Sequence, residues 1–337
     1  MAAAPDSAAL KAAAKATATT NRAWPAGLGV AVLGPVIALL AACIFFTTQS
    51  DRFLSGANFS LILQQVAVVG VIAIGQTLVI LTGGIDLSCG MLMALGGIVM
   101  TRFATTAGLP AVPAILCGVG VTALFGLVNG LLVTRIRLPS FIVTLGTMNI
   151  AFAATQLYSG AQTVTDLPPL MTALGDTFSL GGTSIAWGTL VMLALYAVAW
   201  FVLRETAAGR HVYAVGNNPE ATRLVGIPTQ RVLLTVYIVA GALYGVASLL
   251  SVARTGVGDP NAGQTDNLGA ITAVVLGGTS LFGGRGVVVG SLVGALVVGV
   301  FRNGLTLMGV SSIYQVLVTG VLVILAVTAD QLSRRRA

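Results

Sequence analysis

The chain has 337 residues, of which 56% are hydrophobic and only 8% are charged, so its composition excludes a water-soluble domain. Its formal net charge is +7, but in a membrane protein basic residues are explained by their preference for cytoplasmic loops and do not require nucleic acid as a partner. The composition therefore predicts a polytopic membrane protein that contacts lipid.

Apolar segments recur along the whole chain, and ten of them approach the length of a bilayer span. The eighth is short and broken by glycine, so eight full spans with additional broken segments is the alternative count. We expect an all-α fold of about ten transmembrane helices. The segments cover residues 28–47, 61–81, 87–104, 112–133, 141–158, 185–203, 232–252, 268–281, 287–305 and 313–327.

Both ends of the chain differ from this apolar body. Residues 1–23 are rich in alanine and threonine, and we predict that they form a disordered cytoplasmic tail. A secretory signal is the alternative, but the first apolar run is long enough to span a membrane and lacks a convincing cleavage site. Residues 24–330 then form the membrane domain, and residues 331–337 form a basic cytoplasmic tail.

The distribution of basic residues orients the ten predicted helices. If the N-terminus is cytoplasmic, 13 of the 17 lysines and arginines fall on the cytoplasmic side. This bias predicts that both termini face the cytoplasm. The four exceptions are Arg52, Arg102, Arg254 and Arg302.

The longest polar interval, residues 204–231, carries start and stop signals for one short helix. Asn218 suits the N-cap and is followed by proline, while Gly226 and Pro228 suit the end of the helix. These signals predict a helix over residues 219–225.

One face of this predicted helix is apolar. Ala221, Leu224 and Val225 are spaced to lie together, opposite Thr222 and Arg223. The face is free to dock on another protein, although a surface turn without function is the alternative.

An acidic residue interrupts the membrane segments at residues 83–88, Gly-Gly-Ile-Asp-Leu-Ser. A charged side chain at the centre of a membrane helix costs about 2.5–3.5 kcal/mol on insertion scales. Asp86 is either the N-cap of the third helix, with the glycines supplying the bend, or it faces a translocation path together with Ser88. Asn303, a neutral polar residue in an apolar run, suits either such a path or a hydrogen bond between helices.

Two glycine patterns accompany these segments. A weak internal repeat aligns Gly83 with Gly277 and Gly84 with Gly278, as in transporters built from repeats with broken helices. Small residues at four-residue spacing predict close helix packing. They are Gly126/Gly130, Gly241/Gly245 and Gly286/Gly290/Gly294.

The chain offers no catalytic or metal-binding constellation. Its single histidine, His211, lies in the polar interval, and its three cysteines have neither zinc nor disulfide spacing. The only lysines, Lys11 and Lys15, lie in the N-terminal tail, so a phosphate-binding loop is missing from the membrane domain. We expect no enzyme activity and no cofactor in this chain, and any ATP must be bound by another subunit.

The polar interval contains the pattern Gly-Arg-x-x-Tyr-Ala-x-Gly-x-Asn-x-x-Ala-x-x-x-x-Gly-Ile, starting at Gly209. This pattern resembles the cytoplasmic coupling loop of sugar permeases in ATP-binding-cassette (ABC) importers of the ribose, xylose and arabinose type. In that family the short helix of the loop sits in a groove of the ATPase subunit. By position, the resemblance implies a docking element of Arg210, Tyr213, Gly216, Asn218, Ala221 and Gly226, to which the apolar face adds Leu224.

Other segments extend the resemblance over about residues 55–330. Residues 83–88, 138–148, 252–286 and 303–315 all resemble segments of the same permeases. The chain departs from the family at Asn267 and Gly269, where acidic residues are common. Any role that the family's acidic residues have at these two positions is therefore not expected in this chain.

The resemblance implies a fold like that of type II ABC importers in the bacterial inner membrane. The chain would be the permease subunit for a monosaccharide or a related polyol, with alternating access driven by a separate ATPase that binds ATP and magnesium. A periplasmic sugar-binding protein and a second copy of the chain would be its other partners, and Asp86, Ser88 and Asn303 are the candidates for the substrate path. The alternative is a secondary transporter or channel for a small polar solute, which needs ionisable groups inside the membrane.

Overall fold

The computed structural model describes residues 27–335, and this part of the chain is almost entirely helical. The helices are α1 (Gly27–Gln49), α2 (Gly56–Leu81), α3 (Cys89–Thr105), α4 (Ala111–Leu131), α5 (Ser140–Ser159), α6 (Pro169–Thr172), α7 (Trp187–Glu205), α8 (Ala207–Asn217), α9 (Pro219–Leu224), α10 (Thr229–Thr255), α11 (Asp266–Leu276), α12 (Val288–Leu307) and α13 (Ser312–Arg335). A π-helical turn (Leu132–Ile136) continues α4, and a 3-10 turn (Ala173–Gly175) follows α6. Strands β1 (Thr177–Leu180) and β2 (Thr183–Ala186) form an antiparallel hairpin.

The ten predicted membrane segments correspond to ten apolar helices. Within residues 27–335, six helices are long and apolar enough to cross a membrane, and four apolar stretches are shorter. The protein is thus an all-α polytopic membrane protein, as expected. The eighth segment, α11, has 11 residues and spans only about 16 Å, roughly half of a bilayer core.

The predicted tails have different outcomes. Residues 1–23 lie outside the described part of the chain. At the C-terminus, α13 continues to Arg335 and so includes most of residues 331–337, the predicted basic tail. No proline interrupts this stretch, and its continuation as a helix satisfies its backbone hydrogen bonds.

Helix α2 forms the centre of the membrane domain. It contacts α7, α10, α11 and α12, and 67% of its most apolar stretch is buried. The corresponding share for α4 with its π-helical turn is 22%, so most of that helix faces outward, where a membrane protein meets lipid. The Ser55 hydroxyl caps α2 by accepting the Asn58 backbone N–H at 3.2 Å.

Glycines allow close helix crossings at most of the predicted positions. A Cβ on Gly126 would overlap the Tyr237 carbonyl oxygen, and one on Gly241 would lie 2.5 Å from the Thr122 oxygen, so α4 and α10 meet backbone to backbone. Gly290 and Gly294 similarly bring α12 against α11. Gly286 is the exception, because it precedes α12 and lies in a loop at φ +153°.

The internal repeat is present in the structure in a different register. Helices α2 and α11 each end in a left-handed glycine two residues after their last leucine, Gly83 (φ +80°) and Gly278 (φ +87°). Gly83 therefore corresponds to Gly278, one residue away from the predicted pairing with Gly277. The requirement for a left-handed residue just past a helix end sets this register.

The first turns of the two short helices α3 and α11 meet inside the domain. A Cβ on Gly90 would overlap the Gly263 carbonyl oxygen, and Asn267 Nδ2 donates to the Leu87 carbonyl oxygen at 3.3 Å. Non-helical backbone is thus enclosed by protein, as it must be within a bilayer. This arrangement is typical of transporters with broken helices.

Candidate functional site

The short helix predicted in the polar interval is present as α9. Asn218 Oδ1 accepts the Ala221 backbone N–H at 2.9 Å, so Asn218 is the N-cap as predicted. Gly226 adopts φ +88° after the C-cap Val225, so the helix ends one residue earlier than expected. Local capping signals therefore located the helix to within one residue.

Helix α9 directs its apolar residues away from the protein. Leu224 and Val225 are 80% and 75% exposed, and Ala221 is exposed as well. Thr222 is buried on the opposite side, where its hydroxyl donates to the Ala214 carbonyl oxygen at 2.8 Å. An apolar face that points outward is suited to binding a partner.

Helix α8 was not predicted, although the sequence carries a signal for it. The Thr206 hydroxyl caps it by accepting the Gly209 backbone N–H at 3.3 Å. Arg210 is exposed on this helix. Tyr213 and Gly216, by contrast, lie against the membrane helices, so part of the predicted docking element faces inward.

The inward contacts of α8 are close. The Tyr213 hydroxyl donates to the Gly286 carbonyl oxygen at 2.9 Å, and burial raises the pKa of Tyr213, which favours the protonated donor. Gly216 packs so tightly that a Cβ there would overlap the Leu81 carbonyl oxygen. These two residues attach α8 to the membrane domain.

Asp86 does not cap the third helix in the way we expected. Helix α3 begins at Cys89 with Ser88 as its N-cap residue, so Asp86 lies two positions earlier. Asp86 Oδ1 accepts the backbone N–H of Ser88 at 2.8 Å and its hydroxyl at 2.5 Å. Asp86 therefore stabilises the turn that leads into α3, a local side-chain to backbone motif typical of aspartate.

The surroundings of Asp86 are buried and polar. Asp86 is only 1% exposed, its backbone oxygen accepts a hydrogen bond from Gln76 Nε2, and Asn129 Nδ2 donates to the Ser88 hydroxyl at 3.2 Å. Within residues 27–335 its carboxylate forms no ion pair. The bend between α2 and α3 is thus held by hydrogen bonds from α2 and α4, and also from α5, whose Thr144 hydroxyl accepts the Leu87 backbone N–H at 3.1 Å.

Asn303 joins two helices. Its Nδ2 donates to Asn58 Oδ1 at 2.8 Å, which connects α12 to α2 inside the domain. Of the two interpretations given to this residue, the interhelical hydrogen bond describes its contacts.

A cavity of about 300 Å³ opens among α2, α3, α10, α11, α12 and α13. This volume is at the lower end of the range for ligand pockets, roughly 300–1,000 Å³. Asp86, Ser88 and Asn303 do not line it, so their role in a substrate path stays a prediction. Its polar lining includes Gln65, Ser251, Arg254, Asp266, Arg302 and Gln315.

An ion pair stands in the wall of this cavity. Arg302 Nη1 lies 2.9 Å from Asp266 Oδ1, and Arg302 Nη2 donates to the Thr265 hydroxyl at 3.4 Å. Asp266 is also the first residue of α11, where the helix dipole favours an acid. Arg254 and Asp259 bring further charge of both signs, so the wall can hydrogen-bond the hydroxyl groups of an uncharged solute.

Only one residue of this cavity carries a signal in the sequence. Arg302 is an ionisable residue in a membrane helix, which indicates function, but its partner is 36 positions away on another helix. Within residues 27–335, no group of three or more histidine, cysteine, aspartate or glutamate side chains could hold a metal ion.

Comparison with known proteins identifies similar chains along almost the whole sequence. Residues 58–327 match the family described as branched-chain amino acid transport system / permease component. The chain is 44% identical to the fructose import permease protein of Rhizobium meliloti over 309 residues, 90% of this chain and 86% of that protein. It is 39% identical to the ribose import permease protein of Bacillus subtilis over 301 residues, 89% and 92% of the two chains. No solved structure matches this chain.

Proposed function

This chain belongs to the family of branched-chain amino acid transport system permease components, among those similar to ABC sugar import permeases, and from that premise we propose that it carries a monosaccharide or related polyol across the bacterial inner membrane. A separate ATPase subunit, which binds ATP and magnesium, drives alternating access. A periplasmic sugar-binding protein delivers the solute, and two copies of this chain enclose the path.

The single observation that carries this proposal is the outward apolar face of α9. Leu224 and Val225 remain exposed on a capped helix that emerges from the membrane domain, and exposed apolar groups in a polar segment mark a docking surface. Docking of the ATPase there buries them. The missing phosphate-binding loop agrees with an ATPase on another chain.

The cavity is the proposed solute path. Helix α10 begins next to α9 and ends at the cavity, and its 27 residues separate the two by roughly 40 Å. With both termini in the cytoplasm, α9 faces the ATPase and the cavity faces the periplasm. If cysteines introduced at Asn218 and Asp259 react with an impermeant reagent from the same side, this orientation is wrong.

The decisive experiment replaces exposed apolar residues of α9 with aspartate. The permease complex is then purified through a tag on this chain. Leu224→Asp and Ala221→Asp would bury an unpaired charge in the ATPase groove, at a cost on the order of several kcal/mol. We expect both variants to lose the co-purifying ATPase while the membrane domain keeps its thermal stability, because the altered side chains lie on the surface.

Leu180→Asp is the matched control, since Leu180 is 62% exposed in the hairpin rather than on α9. It should retain the ATPase, as should Thr222→Ser, which keeps the hydroxyl that bonds Ala214. Retention of a fully coupled ATPase by both aspartate variants of α9 would refute the docking assignment. Uptake into liposomes driven by an ion gradient, without ATPase, would favour a secondary transporter.

A further inference from the structure

Three segments converge where α8 meets the membrane domain, and we call this contact the glycine junction: residues 81–84 after α2, residues 213–217 of α8, and residues 283–286 before α12. The Gly284 backbone N–H donates to the Leu81 carbonyl oxygen at 2.9 Å. A Cβ on Gly283 would lie 2.7 Å from Gly83 N and 2.9 Å from the Gly216 oxygen. Backbone therefore meets backbone in all three segments.

The glycine junction is connected directly to α9. A Cβ on Gly284 would lie 2.8 Å from Asn217 Cα, and the next residue, Asn218, is the N-cap of α9. The bond from the Thr222 hydroxyl to the Ala214 oxygen fixes α9 to α8. Helices α8 and α9 are thus held together, and a movement of α9 is passed directly to the glycine junction.

The glycine junction is also connected to the cavity. Residues 81–84 lead into α3, whose Met93 and Gly97 line the cavity, and residues 283–286 lead into α12, which carries Arg302. The junction therefore lies between α9 and the segments that lead into α3 and α12.

Two contacts of α8 at the glycine junction resist movement in opposite directions, one toward the membrane domain and one away from it. The Gly216 contact with Leu81 is steric, so it resists only movement of α8 toward the membrane domain. The hydrogen bond from the Tyr213 hydroxyl to the Gly286 oxygen, 2.9 Å long, resists separation. Tyr213 is therefore placed to draw residues 283–286 along when α8 moves outward.

We propose that Tyr213 is a positioning residue that transmits movement of α9 to the loop before α12, and so links the ATPase cycle to the cavity. This inference rests on the proposed function, because it requires α9 to dock an ATPase. When α8 moves toward the membrane domain, Gly216 presses on residue Leu81. When α8 moves away, the Tyr213 hydrogen bond draws Gly286 with it.

The test is Tyr213→Phe in the complete complex, reconstituted in liposomes with radiolabelled fructose or ribose, whichever the unaltered complex takes up. The ring stays, and only the hydroxyl is removed. We expect normal ATPase co-purification but a fall in sugar uptake per ATP hydrolysed on the order of two- to tenfold, the equilibrium effect of one net hydrogen bond.

Tyr196→Phe is the matched control, because the buried Tyr196 hydroxyl also donates to a glycine carbonyl, that of Gly70 at 3.0 Å, away from the junction. It should leave uptake per ATP unchanged, whereas a merely structural role for both tyrosines would lower it equally in the two variants and overturn the proposal. An unchanged ratio in Tyr213→Phe would overturn it too, as would loss of the ATPase from that variant. Failure of the unaltered complex to bind an ATPase would instead refute the proposed function.

Discussion

The two short helices α3 and α11 both begin inside the membrane domain beside an aspartate. One of these acids is stabilised by hydrogen bonds, without an ion pair among the described residues, and the other by an ion pair. Asp86 is 1% exposed, and its carboxyl group accepts hydrogen bonds from the backbone N–H and the hydroxyl of Ser88. The Asp266 side chain is 16% exposed and pairs with Arg302 on the cavity wall. The same residue type therefore serves the backbone at one helix start and an ion pair in a polar cavity at the other.

The physical reason for the difference is how each carboxylate is compensated. A buried carboxyl group without an opposite charge must be stabilised by hydrogen-bond donors, and Asp86 accepts the backbone N–H and the hydroxyl of Ser88. Asp266 has a guanidinium at 2.9 Å, together with the N-terminus of α11. Hydrogen-bond geometry should therefore matter most at Asp86, and charge should matter most at Asp266.

The largest effect is expected for Asp86→Ala. Loss of the carboxylate leaves the Ser88 N–H and hydroxyl without their acceptor in a buried turn, which costs about 1–3 kcal/mol for each unsatisfied group. Thermal unfolding in detergent should show lower stability, and uptake should fall with the amount of folded protein. Asp259→Ala removes the equivalent bond to the Asn261 N–H, 2.8 Å, from an exposed turn and should cost less. Equal stability of the two variants would contradict the bracing role of Asp86.

An intermediate effect is expected at the ion pair. Arg302→Gln leaves Asp266 without its cation on the cavity wall, and because both side chains are partly exposed the loss should be about 1–2 kcal/mol. Sugar uptake should fall more than stability does, since the cavity loses a charged hydrogen-bond donor.

Arg204→Gln is the control: it breaks the exposed pair with Glu205 and the contact of Arg204 with the Trp200 ring, and it should cost less than about 1 kcal/mol and leave uptake unchanged. The double variant Asp266→Asn with Arg302→Gln should recover stability but not uptake. Recovery of both would mean that the pair is structural and that the solute does not contact it.

The two acids also illustrate which features can be predicted from the sequence: those with local signals can, and contacts between distant residues cannot. The capped helix α9 and the ten apolar segments follow from local signals within a few residues, so the polytopic helical fold and the apolar face of α9 could be predicted. The cavity could not, because Asp266 and Arg302 meet only after α11 and α12 have packed through Gly290 and Gly294. The inward side of α8 was missed for the same reason, since Tyr213 finds its partner 73 positions away. The hairpin was missed despite the left-handed pair Gly181 and Gly182, a local turn signal.

The smallest effect is expected for Asp86→Asn, and it separates the two roles considered for this residue. The amide oxygen of asparagine can still accept the Ser88 N–H, so the turn into α3 keeps its bond. Gln76 and Asn129, whose amide groups donate to the Asp86 carbonyl oxygen and the Ser88 hydroxyl, each keep a buried side-chain oxygen without a hydrogen-bond partner among the described residues, so acceptors are present in the surroundings of the new amide group. Stability should therefore change by less than about 1 kcal/mol.

Uptake by the Asp86→Asn variant tests whether transport needs the charge of Asp86, as it is expected to need that of Asp266. If the carboxylate only braces the turn, transport at normal protein levels should remain close to that of the unaltered chain, whereas removal of charge at Asp266 should reduce it. The measurement is initial sugar uptake divided by the amount of folded permease in the membrane. A variant that folds with unchanged stability but no longer transports would show that the charge of Asp86 serves the solute path, and the distinction between a structural and a functional acid would then be lost.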